Sequence, residues 1–165
     1  MSRRHKVIAY RTLENVEISR IAESVSQLES TFSQQDDELE TLLRESGYNE
    51  EISAGAFDGE RLVAFVLNGD LENTAFIIAD GVLPGYEDEI LINAIKKCAE
   101  AMKSKGTALY KTDALVDNEK AIELYKACGF EAAGEIKDEI FTAEEQKSLV
   151  WCDLQMNLQE EQNGI

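Results

Sequence analysis

Apolar and polar residues alternate from Val7 to Thr12, a spacing that predicts a first strand. The period then lengthens. Val16, Ile18, Ile21, Val25 and Leu28 roughly follow a helical repeat, opened by Glu14 or Asn15 and running to about Glu29. Thr31 to Gln35 reads as a break. Asp36 caps a second helix to about Ser46, with Leu39, Leu42 and Leu43 on one face and Gly47 ending it. Ile52 to Phe57 and Arg61 to Leu67 are strand-like runs joined through Asp58-Gly59, a hairpin signal. Asn73 to Val82 contains Ala75-Phe-Ile-Ile-Ala79, the pattern of a buried strand, and Pro84-Gly85-Tyr86 breaks the chain after it. A long helix follows from about Glu87 to Lys105, with Gly106 as its C-cap. Its inward face holds Ile90, Leu91, Ala94, Ile95, Cys98, Ala101 and Met102.

Thr107 to Thr112 predicts the next strand. Ala121, Leu124, Tyr125 and Cys128 then fall at i, i+3, i+4 and i+7, one helical face, and Gly129 stands where a helix end needs positive φ. A strand near Phe130 to Ile136 follows. Thr142-Ala-Glu-Glu145 has capping-box spacing and predicts a helical turn. Leu149 to Leu158 alternates as the last strand. The order β-α-α-β-β-β-α-β-α-β-β predicts one α/β domain with a mixed, mostly antiparallel sheet and helices on both faces. The Glu87 helix links a parallel pair.

Composition narrows the classes. A chain of 165 residues, 44% hydrophobic with one proline, suits one ordered domain with a sizeable core. There is no apolar run long enough to span a bilayer, and the basic start lacks the apolar core of a signal peptide, which together place the protein in the cytoplasm. Cys98, Cys128 and Cys152 have no metal-ligand spacing and read as free thiols, buried on helices in the first two cases. With His5 the only histidine, and near the terminus, the sequence argues against a zinc site or a Ser-His-Asp triad. The net charge of −17 argues against nucleic acid and favours a cationic partner, an amine, polyamine or basic peptide; solubility alone explains it equally well.

The stretch Asn118-x-x-Ala-x-x-Leu-Tyr-x-x-x-Gly-Phe130 closely resembles the C-terminal motif of the GNAT N-acetyltransferase superfamily. Gly55 to Asn68 resembles that family's central hairpin, and Val82-Leu-Pro-Gly-Tyr86 resembles the strand end leading into its coenzyme A loop. The resemblance covers roughly Val7 to Ile136. It implies a GNAT-type fold, acetyl-CoA as cosubstrate, and acyl transfer to an amine of a small molecule or peptide. It also leaves a homodimer open. By resemblance, Tyr125 matches the residue that protonates the departing thiolate, and Asn118 lies near the pantetheine arm; the residues alone read equally as a core tyrosine and a helix cap. Asp80 is the first candidate general base, or else a turn residue before Gly81. Glu72 is a weaker candidate, and Asp113 and Asp117 read as solvated loop acids.

The family's phosphate loop carries Gln/Arg-x-x-Gly-x-Gly/Ala. The matching cofactor-binding positions here are Glu87, Ile90 and Ile92, with Asp88 and Glu89 between them. Carboxylates beside a diphosphate cost on the order of several kcal/mol. The same acids complement the dipole of their own helix. Two functions therefore stay open: an N-acyltransferase, and a catalytically inactive GNAT-like binding or regulatory module.

Overall fold

The structure, a computed structural model, describes residues 7–25, 36–141 and 146–159. One seven-stranded sheet runs in the order β1-β2-β3-β4-β5-β7-β6. Its strands are β1 (Ile8–Thr12), β2 (Ala54–Asp58), β3 (Arg61–Leu71), β4 (Thr74–Val82), β5 (Leu109–Leu115), β6 (Glu131–Phe141) and β7 (Gln146–Asn157). Among the described residues only the β4 and β5 pairing is parallel, and α3 (Asp88–Ser104) makes the crossover between them. The helices α1 (Ile18–Val25) and α2 (Asp36–Glu45) cover one face, packing Ile21, Leu39 and Leu43 against Phe57, Phe65 and Leu67. On the other face α3 and α4 (Glu119–Cys128) pack Leu91, Ile95, Cys98 and Cys128 against Val66, Ala75, Tyr110 and Leu154.

The element order is the predicted one; several boundaries move for local reasons. The first helix starts at Ile18 because Asn15 takes a left-handed φ of 67° and Val16 bonds back to the Leu13 carbonyl. Its expected continuation to Glu29, the break at Thr31 to Gln35 and the turn at Thr142 to Glu145 lie outside the described residues. Ile52 belongs not to a strand but to a 3-10 turn, Glu50–Ile52, capped by the Asn49 side chain. That turn delays β2 to Ala54. β3 runs on to Leu71, where it pairs with Thr74. The C-cap of α3 is Lys105, and Gly106 follows it with φ 86°. β5 begins late because Thr107 bonds to Met102 and Ala108 to Asn73. On α3, Ala99 is buried where Ala101 is half-buried. All three cysteines are free and buried.

Candidate active site

The parallel register of β4 and β5 covers Thr74↔Leu109, Ala75↔Tyr110 and Phe76↔Lys111. Past it, β4 stays paired to β3 as far as Val82, and β5 stays paired to β7 as far as Leu115. The sheet therefore opens between β4 and β5. A bulge helps to bend β4 away. Leu67 pairs with Ala79 and Asn68 with Ile77, which leaves Ile78 as the extra residue.

The bulge also sets which way Asp80 points. Ala75 and Ile77 pack on the α3 side of the sheet. Strict alternation would send Asp80 to the opposite side. The extra residue reverses the parity, so Ala79 joins the α1 and α2 core while Asp80 meets α4. There Tyr125 Oη donates to Asp80 Oδ2 at 2.8 Å.

Tyr125 is held from several sides. Asn118 Oδ1 accepts from the Ala121 N–H at 3.2 Å and starts α4. Gly129 ends it in the left-handed region, φ 116°, and the Phe130 N–H returns to the Tyr125 carbonyl. The Tyr125 ring meets Phe130 edge-on at 5.7 Å, and Phe130 lies against Tyr110 at 5.0 Å. Tyr110 in turn donates to Asn68 Oδ1 at 2.8 Å.

These surroundings tune both groups. Burial pushes the Asp80 carboxyl up to about 6, and the Tyr125 bond partly offsets it. Tyr125 is raised above the usual phenol range by burial first, then by the Asp80 charge, with Thr112 acting in the opposite sense. A carboxylate balanced near neutrality can take up and return a proton, and a phenol so raised stays a neutral donor.

Where the strands part there is a cleft of about 280 Å³, lined by Phe76, Ile77, Lys111, Thr112, Asp113, Ile136 and Asp153. Asp113 and Asp153 are register partners across β5 and β7, like charges placed opposite each other. The Asp113 carboxyl is raised by burial, then by Asp153 and Asp138, against Lys111. Lys111, Thr112 and Asp153 carried no signal in the sequence, since only strand pairing brings them together.

The other candidates sit apart from the pair. Val82 ends β4, half-buried. Glu87 is the N-cap of α3 and makes no side-chain cap bond. Ile90 packs on Ala56, Val63, Ala64 and Leu83, while Ile92 packs into the core beneath α3. Glu72 lies in the β3 to β4 turn, at the far end of β4 from Asp80. Asp117 is exposed.

Acetyl-CoA, which the resemblance implies, divides into two ends on this surface. The gap between β4 and β5, with Tyr125 beside it, fits a thin thioester arm. The first turn of α3 does not fit a diphosphate: Glu87, Asp88 and Glu89 are all exposed there, and Ile90 and Ile92, at the positions that the resemblance gives to small residues, pack against the apolar clusters.

No protein-family model and no curated protein matches the sequence. Solved structures match its architecture. The ribosomal-protein-S18-alanine N-acetyltransferase from Escherichia coli is 14% identical, with a TM-score of 0.73 over 96% of this chain and 99% of that one. A spermidine N-acetyltransferase chimera from Vibrio cholerae SpeG and hSSAT is 18% identical, with a TM-score of 0.67 over 92% and 95%. The yncA structure from Salmonella typhimurium, solved with its cofactor acetyl-CoA, is 13% identical, with a TM-score of 0.67 over 94% and 96%. Strand order, the parting of β4 from β5 and these likenesses together show that the chain has the fold of the GNAT acetyltransferases.

Proposed function

We propose that the chain is an N-acyltransferase that moves an acyl group from a thioester to an amine. The observation that carries this reading is the Tyr125 to Asp80 hydrogen bond beside the opening of the sheet. Asp80 takes a proton from the incoming ammonium, directly or through water, and frees its lone pair. The nitrogen bonds to the thioester carbon as the C–S bond breaks. Tyr125 gives its proton to the leaving sulfur, and Asp80 returns a proton to Tyr125 across the hydrogen bond they share. The second nitrogen proton leaves to water. The bulge at Ile78 interrupts the regular pairing of β4, and backbone N–H groups along this stretch would supply dipoles for the carbonyl oxygen.

The acceptor is a cationic amine or basic peptide. Asp113 and Asp153 line the cleft, and the chain as a whole carries a charge of −17. The Escherichia coli and chimeric neighbours are named for an alanine of a ribosomal protein and for spermidine, both amines. Among the described residues no helix is long and apolar enough to cross a membrane. Three free thiols suit a reducing compartment, and the cytoplasm is the proposed location.

The acids opening α3 favour the second reading, a GNAT-like binding module without transferase activity. One assay separates them. The purified chain is incubated with acetyl-CoA or S-acetylpantetheine and a panel of amines, and amide is measured by mass spectrometry. Acyl transfer predicts amide that drops at least about a hundredfold in Tyr125→Phe and Asp80→Asn. No amide from any donor would leave the binding module standing.

A further inference from the structure

We infer that Glu87, Asp88 and Glu89 are specificity-determining residues that turn the chain away from a nucleotide diphosphate, so that it selects its donor by the pantetheine arm and the acyl thioester. This rests on the acyl-transfer reading and names the donor class for that same site. Three independent observations support it.

The first is charge. Glu87 is the extended N-cap of α3, with φ −82° and ψ 153°, and Asp88 and Glu89 fill the first turn. All three side chains are exposed, which places three solvated carboxylates at the start of the helix. The dipole of α3 is thereby met by the chain's own carboxylates. A cation near this loop, Arg61, lies 6.0 Å from the ring centre of Tyr86, and Tyr86 itself donates to Asp58 at 2.7 Å.

The second is the backbone. A diphosphate needs several N–H groups aimed at one point. Here the Tyr86 N–H bonds to the Leu83 carbonyl and the Ile90 N–H to the Glu87 carbonyl, so the N–H groups that open the helix belong to Glu87, Asp88 and Glu89, the residues that bear the carboxylates. Ile90 and Ile92 are anchored in two different apolar clusters, which fixes the turn in this geometry.

The third is what the site offers instead. Past Phe76 the edge of β4 that faces β5 is outside the parallel register. An open strand edge pairs readily with an extended, amide-bearing chain. The pantetheine arm is such a chain and carries no phosphate. It would run along β4 and bring its sulfur to Tyr125.

The test is calorimetric titration of the intact protein with S-acetylpantetheine and with acetyl-CoA, at low and at moderate salt, using wild type and the triple variant Glu87→Gln, Asp88→Asn, Glu89→Gln. Circular dichroism checks that the variant is folded. S-acetylpantetheine is expected to bind wild type at least as tightly as acetyl-CoA. Neutralising the three acids should tighten acetyl-CoA about tenfold and leave S-acetylpantetheine within about twofold. Added salt should tighten acetyl-CoA on wild type, since it screens repulsion. Acetyl-CoA held about tenfold more tightly than S-acetylpantetheine by wild type overturns the inference, and amide formed from that acetyl-CoA would keep the acyl-transfer reading intact. An unchanged acetyl-CoA affinity in the triple variant also overturns it. Binding of neither donor overturns both.

Discussion

Asp80 and Tyr125 hold one proton between two oxygens 2.8 Å apart, and the sign of each shift makes the pair testable. Asp80 must be ionised to act as a base, so kcat/KM should rise with pH through about 6. The Tyr125 bond lowers the Asp80 carboxyl, so Tyr125→Phe should move that limb to higher pH as well as slow the reaction. A pH-rate profile of the two proteins checks this; an unmoved limb would mean that Asp80 is not the group being titrated. Stability carries the same proton with the opposite consequence. The folded carboxyl is raised above its unfolded value, so folding loses free energy as pH climbs from about 4 to about 6 and is level beyond. Asp80→Asn lacks that loss. Denaturant unfolding should show the variant gaining on the order of 2 kcal/mol relative to wild type between about pH 4 and about pH 7. The sequence left Asp80 open between a general base and a turn residue before Gly81. The run Ala75-Phe-Ile-Ile-Ala79 bears no glycine to mark a bulge, yet the bulge decides the side on which Asp80 emerges.

At the scale of elements, α4 and β4 were legible because local chemistry dictates them. Asn118, the apolar stripe and Gly129 define α4 from its own residues, and the structure returns Glu119–Cys128 between those caps. Gly129→Ala tests that reading. A Cβ there would meet Met156 only at ordinary contact, 3.5 Å, so the cost is in the backbone at φ 116°. Holding an alanine there costs about 1–2 kcal/mol, or about 4 °C of melting temperature in a chain of this size. A melting curve within about 1 °C of wild type would show that the cap does not constrain α4. Gly69 limits sequence reading in another way. The expected strand stops at Leu67, yet β3 continues through this glycine, and an added Cβ there would come within 2.5 Å of the Ser46 carbonyl oxygen. Such a close approach of α2's end to β3 depends on tertiary packing, as does the β5 to β7 register that brings Asp113 to Asp153. Neither is written in a local period.

At the scale of the whole molecule, 33 acidic residues against 16 Lys and Arg leave the folded chain repelling itself. The ion pairs Arg44 to Glu40 and Lys97 to Glu100, each at 3.9 Å, are solvent-exposed and add little. Raising sodium chloride from about 10 mM to about 200 mM should therefore raise the melting temperature, by about 2–4 °C for each kcal/mol of repulsion screened. A fall on adding salt would mean that the surface pairs outweigh the net charge. Screening acts everywhere alike, and a site does not. A polyamine at the same ionic strength should raise the melting temperature further if the cleft between Asp113 and Asp153 holds a cation, because a ligand of the folded state adds RT ln(1 + [L]/Kd). Asp113→Asn with Asp153→Asn should remove that excess and keep the salt response, since it changes the total charge by only a small fraction. If the double variant keeps the whole polyamine effect, the charge acts as a diffuse field, and the acceptor is selected elsewhere than in the cleft that Asp113 and Asp153 line.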